Sequence, residues 1–149
     1  MKSTLVTVCG NSMNSLLGPG DVVLLNKCNR VRCGDIFTYD YNGNIIIHRV
    51  LFVGIKYVWE AGDNNYRIKK VEKAQITAKV IANVTKNIDL NCSEINQRIA
   101  ILNLLRCLVG RNITSTKSLI KNKHKCKFIL AITKKRNELQ LQYKKYTGD

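Results

Sequence analysis

A serine and a histidine in two short motifs are the residues of this chain best suited to chemistry. Ser12 stands in the segment Gly10-Asn11-Ser12-Met13, which is typical of a glycine-flanked turn, and His48 lies 36 residues later inside an apolar run. A serine hydroxyl attacks a carbonyl at neutral pH only when a base takes its proton, and imidazole is the usual base. If the fold brings the two side chains together, the pair is suited to hydrolysing a carbonyl bond.

Each candidate residue also has an ordinary structural interpretation. Serines beside glycines are common in loops, and a histidine within an apolar strand is often a core residue. Asp63, in Gly62-Asp63-Asn64-Asn65, is typical of a turn. The functional hypothesis therefore depends on the combination of residues and on their order.

Six short runs of alternating or β-branched residues predict the strands that must position these side chains. They cover residues 5–9, 21–25, 36–39, 45–53, 57–60 and 76–84. Asn42-Gly43 is the clearest hairpin signal among the turns. Short strands with close turns favour antiparallel pairing. The predicted fold class is mainly β, with an antiparallel, partly barrel-like sheet that forms a catalytic domain over residues 1–90.

Residues 91–149 follow a different pattern and are expected to form a basic helical extension. Apolar residues recur at three- and four-residue spacing from Ile95 to Val109, which predicts an amphipathic helix. After a polar break at residues 112–118, a second helix is expected over about 125–145. Three interpretations remain open for such helices: they cover the open face of the sheet, lie on a membrane surface, or fill a groove in a partner.

The chain is strongly basic, and most of the excess charge lies in its C-terminal third. The net charge is +15; residues 93–149 contain 13 Lys and Arg against 3 acids, whereas residues 1–92 contain 12 against 7. Such a segment attracts nucleic acid, anionic lipid headgroups or an acidic partner. We expect peripheral contact with an anionic membrane through residues 95–111 and the basic tail. Nucleic acid is the less favoured partner, because no interleaved aromatic motif for base stacking is present.

The cysteines and the hydropathy of the sequence indicate where in the cell the protein is expected. The six cysteines form no CxxC pair and no zinc-site spacing, so reduced thiols are the expected state. No run approaches the roughly 20 apolar residues of a membrane-spanning helix, and no cleavable secretory signal is evident. We expect a cytoplasmic or peripherally membrane-associated protein, and nothing in the sequence indicates a metal or an organic cofactor.

Five short motifs in a fixed order resemble the signal peptidase I family. They are Gly10-x-Ser12-Met13, Gly20-Asp21 before a strand, Gly34-Asp35-Ile36-Phe37, His48-Arg49-Val50 and Gly62-Asp63-Asn64-Asn65. The resemblance covers about residues 4–86 and is to the branch that uses histidine where the bacterial enzymes use lysine, as in archaeal and endoplasmic-reticulum signal peptidases. The basic helix that follows is similar to that of short stand-alone members.

The resemblance implies a serine endopeptidase that removes a leader or signal segment from a peptide or preprotein through an acyl-enzyme. Ser12 would be the nucleophile, His48 the general base and acid, and Asp63 the group that orients the imidazolium. Met13 and Ile47 would line a shallow apolar cleft for small side chains, beside which the substrate lies extended.

Two departures from the family pattern keep other functions open. Ser15 stands where a proline is usual, and Lys69 stands where a second acidic residue is usual. A catalytically inactive relative that binds peptides or a membrane surface is therefore one alternative, and a basic nucleic-acid-binding protein is another. A Ser–Lys mechanism like that of the related repressor autoproteases is not favoured, because histidine occupies the strand position that lysine would need.

Overall fold

The computed structural model describes residues 3–28, 30–110 and 123–146, which build one antiparallel sheet and two helices. The strands are β1 (Ser3–Thr7), β2 (Val22–Lys27), β3 (Ile36–Tyr41), β4 (Asn44–Val53), β5 (Tyr57–Ala61), β6 (Lys69–Glu72), β7 (Ile76–Asn83) and β8 (Ile88–Asp89). The helices are α1 (Ser93–Gly110) and α2 (Lys123–Gln140), and Lys73–Gln75 form a 3₁₀ turn. The sheet is a half-barrel, which confirms the predicted fold class.

The strand order is β1-β2-β7-β3-β4-β5-β6, with β8 paired to β7, and all pairs are antiparallel. Register shifts interrupt the β2–β7, β3–β7 and β4–β5 pairs, and such irregularities bend and twist strands. Strand β5 pairs with β4 only from Arg49 onward. Residues 44–48 of β4 therefore have β3 on one side and no strand of the described chain on the other.

The six predicted strands are present, with ends that differ by a few residues. The sequence analysis missed the short strands β6 and β8, whose mixed polar residues show no clear alternation. Helix α2 ends at Gln140, so the prediction of helix up to residue 145 was wrong. The predicted polar break at residues 112–118 lies outside the described residues.

The apolar core anchors the segment that carries Ser12. Met13, Leu16 and Leu17 are almost fully buried and pack with residues of β2 and β7. Burying an apolar side chain of this size stabilises the fold by about 1.5–3 kcal/mol. The segment between β1 and β2 is therefore held by its apolar residues, although it is not a regular helix or strand.

Helix α1 buries a mixed face of polar and apolar residues, whereas the sequence predicted an amphipathic helix. Its buried residues are Asn96, Ile99, Ala100, Asn103, Arg106, Cys107 and Gly110. Ile101, Leu105 and Leu108 are instead 56%, 40% and 60% exposed. The reason is that α1 packs on a region of the sheet that contains a buried ion pair, and buried charges require polar partners. Helix α1 thus covers part of the sheet and leaves an apolar stripe exposed.

Candidate active site

Ser12 lies on a turn that is fastened to the turn after β5. The N–H of Asn64 donates a hydrogen bond of 2.7 Å to the carbonyl oxygen of Ser12. The N–H of Asp63 lies 3.2 Å from the sulfur of Met13, which is 1% exposed. The carbonyl group of Ser12 and the side chain of Met13 are therefore fixed, while Ser12 itself remains partly accessible to solvent.

Gly62 allows the two turns to approach each other this closely. A Cβ atom at position 62 would lie 2.5 Å from the carbonyl oxygen of Ser12 and 2.8 Å from its Cβ. Real Cβ atoms do not tolerate such contacts, so any larger residue must push Ser12 away. The glycine of the Gly62-Asp63-Asn64-Asn65 motif thus helps to position the serine.

His48 contacts a buried carboxylate that the sequence analysis did not select. Its Nδ1 lies 2.5 Å from Oε2 of Glu60 on β5, and the two side chains are 8% and 0% exposed. The other carboxylate oxygen of Glu60 accepts a hydrogen bond of 2.9 Å from the hydroxyl of Tyr39. Burial and the negative charge of Glu60 raise the pKa of Tyr39, so its hydroxyl stays protonated and donates. With Nδ1 directed at Glu60, Nε2 is the nitrogen left for a substrate or a hydroxyl.

Ser12 and His48 line the same cleft, which has a volume of about 590 Å³. Met13 and Ile47, the predicted substrate-binding residues, line it as well. One wall consists of residues 6–10, which are the end of the edge strand β1 and the residues that follow it. Another wall consists of residues 44–48 of β4, which pair with β3 on one side and with no described strand on the other. The structure therefore brings the predicted serine and histidine to one site between two strand edges.

Asp63 does not accompany His48 as expected. Its two carboxylate oxygens accept hydrogen bonds of 2.8 Å from Nε and Nη2 of Arg49, and both side chains are fully buried. Burial would raise the pKa of Asp63, but the charge and hydrogen bonds of Arg49 outweigh it and hold the pKa below its usual range. The carboxylate beside the imidazole is that of Glu60, so the predicted orienting contact between Asp63 and His48 is absent from the observed geometry.

Both helices attach to Asp63. From α1, Asn103 donates a 2.6 Å hydrogen bond to its carboxylate, and Arg106 donates to its carbonyl oxygen. From α2, Arg136 donates to the same carbonyl oxygen, and Gln140 lies 3.4 Å from the carboxylate. Asp63 therefore joins the sheet to the two helices.

Glu60 was missed because no motif contains it. It ends the predicted strand 57–60, and the sequence does not show that it lies beside His48 on the neighbouring strand. One signal was available: an acid that closes an apolar strand needs a buried partner, and His48 stands on the preceding predicted strand.

A second and larger cavity, of about 1080 Å³, also begins at His48. We call it the distal cavity because Ser12 is not among the residues that line it. Its described lining consists of His48, Trp59, Asn65, Tyr66, Arg67, Ile68, Lys69, Cys107, Leu108 and Gly110. His48 and Lys69 line both the cleft and the distal cavity.

Neither α1 nor α2 combines the length and hydropathy needed to cross a bilayer. No three or more His, Cys, Asp or Glu side chains of the described residues cluster in a way that could hold a metal ion.

The family of this chain follows from comparison with known proteins. No curated protein matches the chain. A family model described as Peptidase S24-like matches residues 2–85, which include β1 to β7 and both turns of the cleft. The match covers more than half of the chain and supports the broad signal peptidase and LexA-like superfamily of serine-type peptidases. The chain therefore belongs to the Peptidase S24-like family.

Proposed function

We propose that this protein is a serine endopeptidase that removes a leader or signal segment from a peptide or preprotein. The observation that carries the proposal is that Ser12 and His48 line one cleft, with Nδ1 of His48 against the buried carboxylate of Glu60. The family supplies the serine-peptidase class. The choice of histidine as the base is our proposal, since the family includes LexA-type self-cleaving proteins.

The proposed reaction is acyl transfer to Ser12. Its Oγ attacks the peptide carbonyl carbon while Nε2 of His48 takes the hydroxyl proton. The backbone N–H of Ser12 donates to the developing oxyanion. The imidazolium then gives its proton to the leaving amine nitrogen as the C–N bond breaks, which leaves an ester on Ser12. Water, deprotonated by His48, hydrolyses the ester and restores the hydroxyl.

Glu60, rather than Asp63, would stabilise the imidazolium. Its carboxylate lies beside Nδ1, where it favours the tautomer with a free Nε2 and the protonated ring that forms during the attack. Asp63 is committed to Arg49 and to the helices. We therefore assign Glu60 as a positioning residue and Asp63 as a structural one.

The substrate would bind as an extended strand. The cleft lies between the edge of β1 and the unpaired side of residues 44–48, so a peptide could form backbone hydrogen bonds there. Met13 and Ile47 give the cleft an apolar wall suited to small side chains, as the resemblance to signal peptidases implies. Alanine, glycine or serine before the cut is the expected preference.

Mass spectrometry of a peptide library tests the function. We expect cleavage after small residues by the wild type and its loss in Ser12→Ala and His48→Ala. His124→Ala is the matched control, because His124 is an exposed residue of α2, and it should cleave normally. Thermal melting must show that each variant is folded. Cleavage that persists in Ser12→Ala would contradict the mechanism, and a folded wild type without turnover would favour the inactive, peptide-binding relative.

A pH–rate profile tests the assignment of Glu60. A general base must be unprotonated to act, so kcat/KM of the wild type should rise with pH. Glu60→Gln removes the charge that favours the imidazolium, so the rising limb should move to lower pH and kcat should fall at least roughly tenfold. The other titratable groups nearby include Tyr39, which contacts Glu60, and Cys9 and Lys69, which line the cleft. An unchanged profile in folded Glu60→Gln would show that Glu60 serves only the fold.

A further inference from the structure

The distal cavity is lined by His48 but not by the proposed nucleophile, Ser12. His48 lines both this cavity and the cleft, whereas Ser12, Met13 and Ile47 line the cleft alone. Beyond His48, the cavity is bounded by Trp59 of β5, the segment 65–69 and the last residues of α1. The cleft and the distal cavity therefore adjoin at their shared lining residues, His48 and Lys69.

The order of bond changes in acyl transfer assigns one half of the substrate to each of the two cavities. After the first step the acyl half of the substrate is an ester on Ser12, so it occupies the cleft. The departing amine must receive a proton from His48, so the segment after the cut passes over the imidazole. The distal cavity begins at that imidazole and is thus the space available to the departing segment.

The charges at the distal cavity are of one sign. Arg67 and Lys69 line it, and no carboxylate is among its described lining residues. Glu60 and Asp63, which are close in sequence to the lining residues Trp59 and Asn65, are fully buried and contact His48, Tyr39 and Arg49 instead. The guanidinium of Arg106 lies 4.9 Å from the ring centre of the lining residue Tyr66 and adds further positive charge.

We infer that the distal cavity selects substrates whose segment after the cut is acidic. This inference rests on the proposed function, because it uses the position of the acyl group. Arg67 and Lys69 would bind Asp or Glu side chains in the first few positions after the cut. Trp59, Tyr66 and Leu108 give the same cavity apolar surface for the rest of the departing segment. The substrate class is therefore a leader with small residues before the cut, followed by an acidic segment.

Peptide binding to the Ser12→Ala variant tests the inference without requiring turnover. Three fluorescent peptides share one acyl half and carry Asp-Glu, Asn-Gln or Lys-Lys after the scissile bond. We expect the Asp-Glu peptide to bind about fivefold more tightly than the Asn-Gln peptide, and the Lys-Lys peptide more weakly than both, because exposed ion pairs contribute modestly. The preference should shrink at 0.5 M NaCl, where charges are screened beyond roughly 3–5 Å.

Variants that neutralise charged residues test whether the preference for acidic peptides arises at Arg67 and Lys69. Arg67→Gln combined with Lys69→Gln should bring the affinity ratio of the Asp-Glu and Asn-Gln peptides close to one. Lys27→Gln combined with Lys56→Gln removes the same charge from exposed residues that line neither cavity, so the ratio should be retained. Equal affinities for the three peptides, a ratio that the cavity variant does not alter, or no binding of any peptide would each overturn the inference.

Cleavage of the same peptides by the protein with Ser12 intact separates this inference from the proposed function. Binding with the acidic preference but without cleavage would support the distal site and contradict the endopeptidase. Cleavage at equal rates, without the preference, would support the endopeptidase and contradict the distal site.

Discussion

Two carboxylates three residues apart, Glu60 and Asp63, have different partners and so different roles. Asp63 forms a two-point ion pair with Arg49, and both side chains are fully buried. Glu60 contacts an imidazole and a tyrosine hydroxyl, which are groups that need not carry a charge. A neutral substitute is therefore tolerable at position 60 but not at position 63.

Stability measurements should separate these two acids. Asp63→Asn leaves the guanidinium of Arg49 buried without a counterion, which costs about 3–5 kcal/mol in the free energy of unfolding. Glu60→Gln retains an acceptor for Tyr39 and should cost about 1–3 kcal/mol. Urea unfolding of the two variants beside the wild type measures both values. If Asp63→Asn unfolds at the same urea concentration as the wild type, Asp63 does not have the proposed structural role.

The residues that sequence analysis identified are those that belong to motifs. Ser12 and His48 were predicted, and the structure brings them to one cleft. Glu60 was missed because its contact with His48 arises from pairing of neighbouring strands, which spacing along the chain does not reveal. Asp63 was given an orienting role because the resemblance to signal peptidases implies one. Its actual partner, Arg49, directly follows the histidine in the sequence.

At the scale of the elements, the geometry of the cleft depends on two turns in contact. Ser12 is on one and Gly62 is on the other, and Asn64 joins them through a backbone hydrogen bond of 2.7 Å. Sequence analysis predicted both turns from their glycine, asparagine and aspartate residues. Their contact depends on how the half-barrel closes, which residue types alone do not specify.

Gly62→Ala should impair catalysis more than stability. The added methyl group would lie 2.5 Å from the carbonyl oxygen of Ser12, so the backbone of the serine must shift. A displacement of this kind lowers kcat by roughly a hundredfold. Gly18→Ala is the matched control, because a Cβ at that position meets no atom closer than 3.6 Å. Equal kcat values for the two variants would show that the turn contact does not position Ser12.

Acidification should destabilise the turn before β2, because it protonates the carboxylate of Asp21. Burial would raise the pKa of Asp21, but its ion pair with Lys86 and its hydrogen bonds from Gly18 and Asn83 hold the pKa below the usual value. A lowered folded-state pKa means that this stabilisation is present above pH ~4, where the unfolded side chain titrates, and is lost as pH falls further. Asp63 follows the same rule.

Unfolding free energies measured between pH 7 and pH 2.5 test this dependence. The wild type should lose stability below about pH 4. Asp21→Asn should be less stable at pH 7 and should lose less on acidification, since one of the titrating groups is gone. Asp40→Asn is the control, because this exposed carboxylate has no ion pair among the described residues. Parallel profiles for the wild type and Asp21→Asn would contradict the assignment.

At the scale of the whole molecule, the family match and the structure differ in what they include. The family model matches residues 2–85, whereas α1 and α2 lie beyond it. Both helices nevertheless bind the carbonyl oxygen of Asp63, through Arg106 and Arg136. Sequence periodicity predicted the helices but did not show that Asn96, Asn103 and Arg106 are among the residues that α1 buries. Periodicity shows only where apolar residues recur. It does not show that the surface covered by α1 contains the buried ion pair of Arg49 and Asp63.

This orientation leaves an apolar stripe of α1 exposed, formed by Ile101, Leu105 and Leu108. The expected contact with an anionic membrane remains a prediction, and the stripe is the surface that could make it. Exposed apolar side chains gain about 25 cal/mol per Å² when they leave water, and the excess of basic residues after position 92 adds attraction to anionic headgroups. Vesicles with anionic lipid should therefore bind the protein more strongly than zwitterionic vesicles do.

Co-sedimentation with vesicles tests the stripe directly. Ile101→Gln combined with Leu105→Gln should weaken partitioning onto anionic vesicles about tenfold, because two partly exposed side chains lose roughly 1.4 kcal/mol of transfer free energy. Ile55→Gln combined with Leu141→Gln is the control, since these residues are 95% and 87% exposed outside both helices. If the two double variants partition alike and only salt weakens the binding, the attraction is electrostatic. In that case the stripe on α1 plays no part, and the basic residues of the C-terminal third account for the contact.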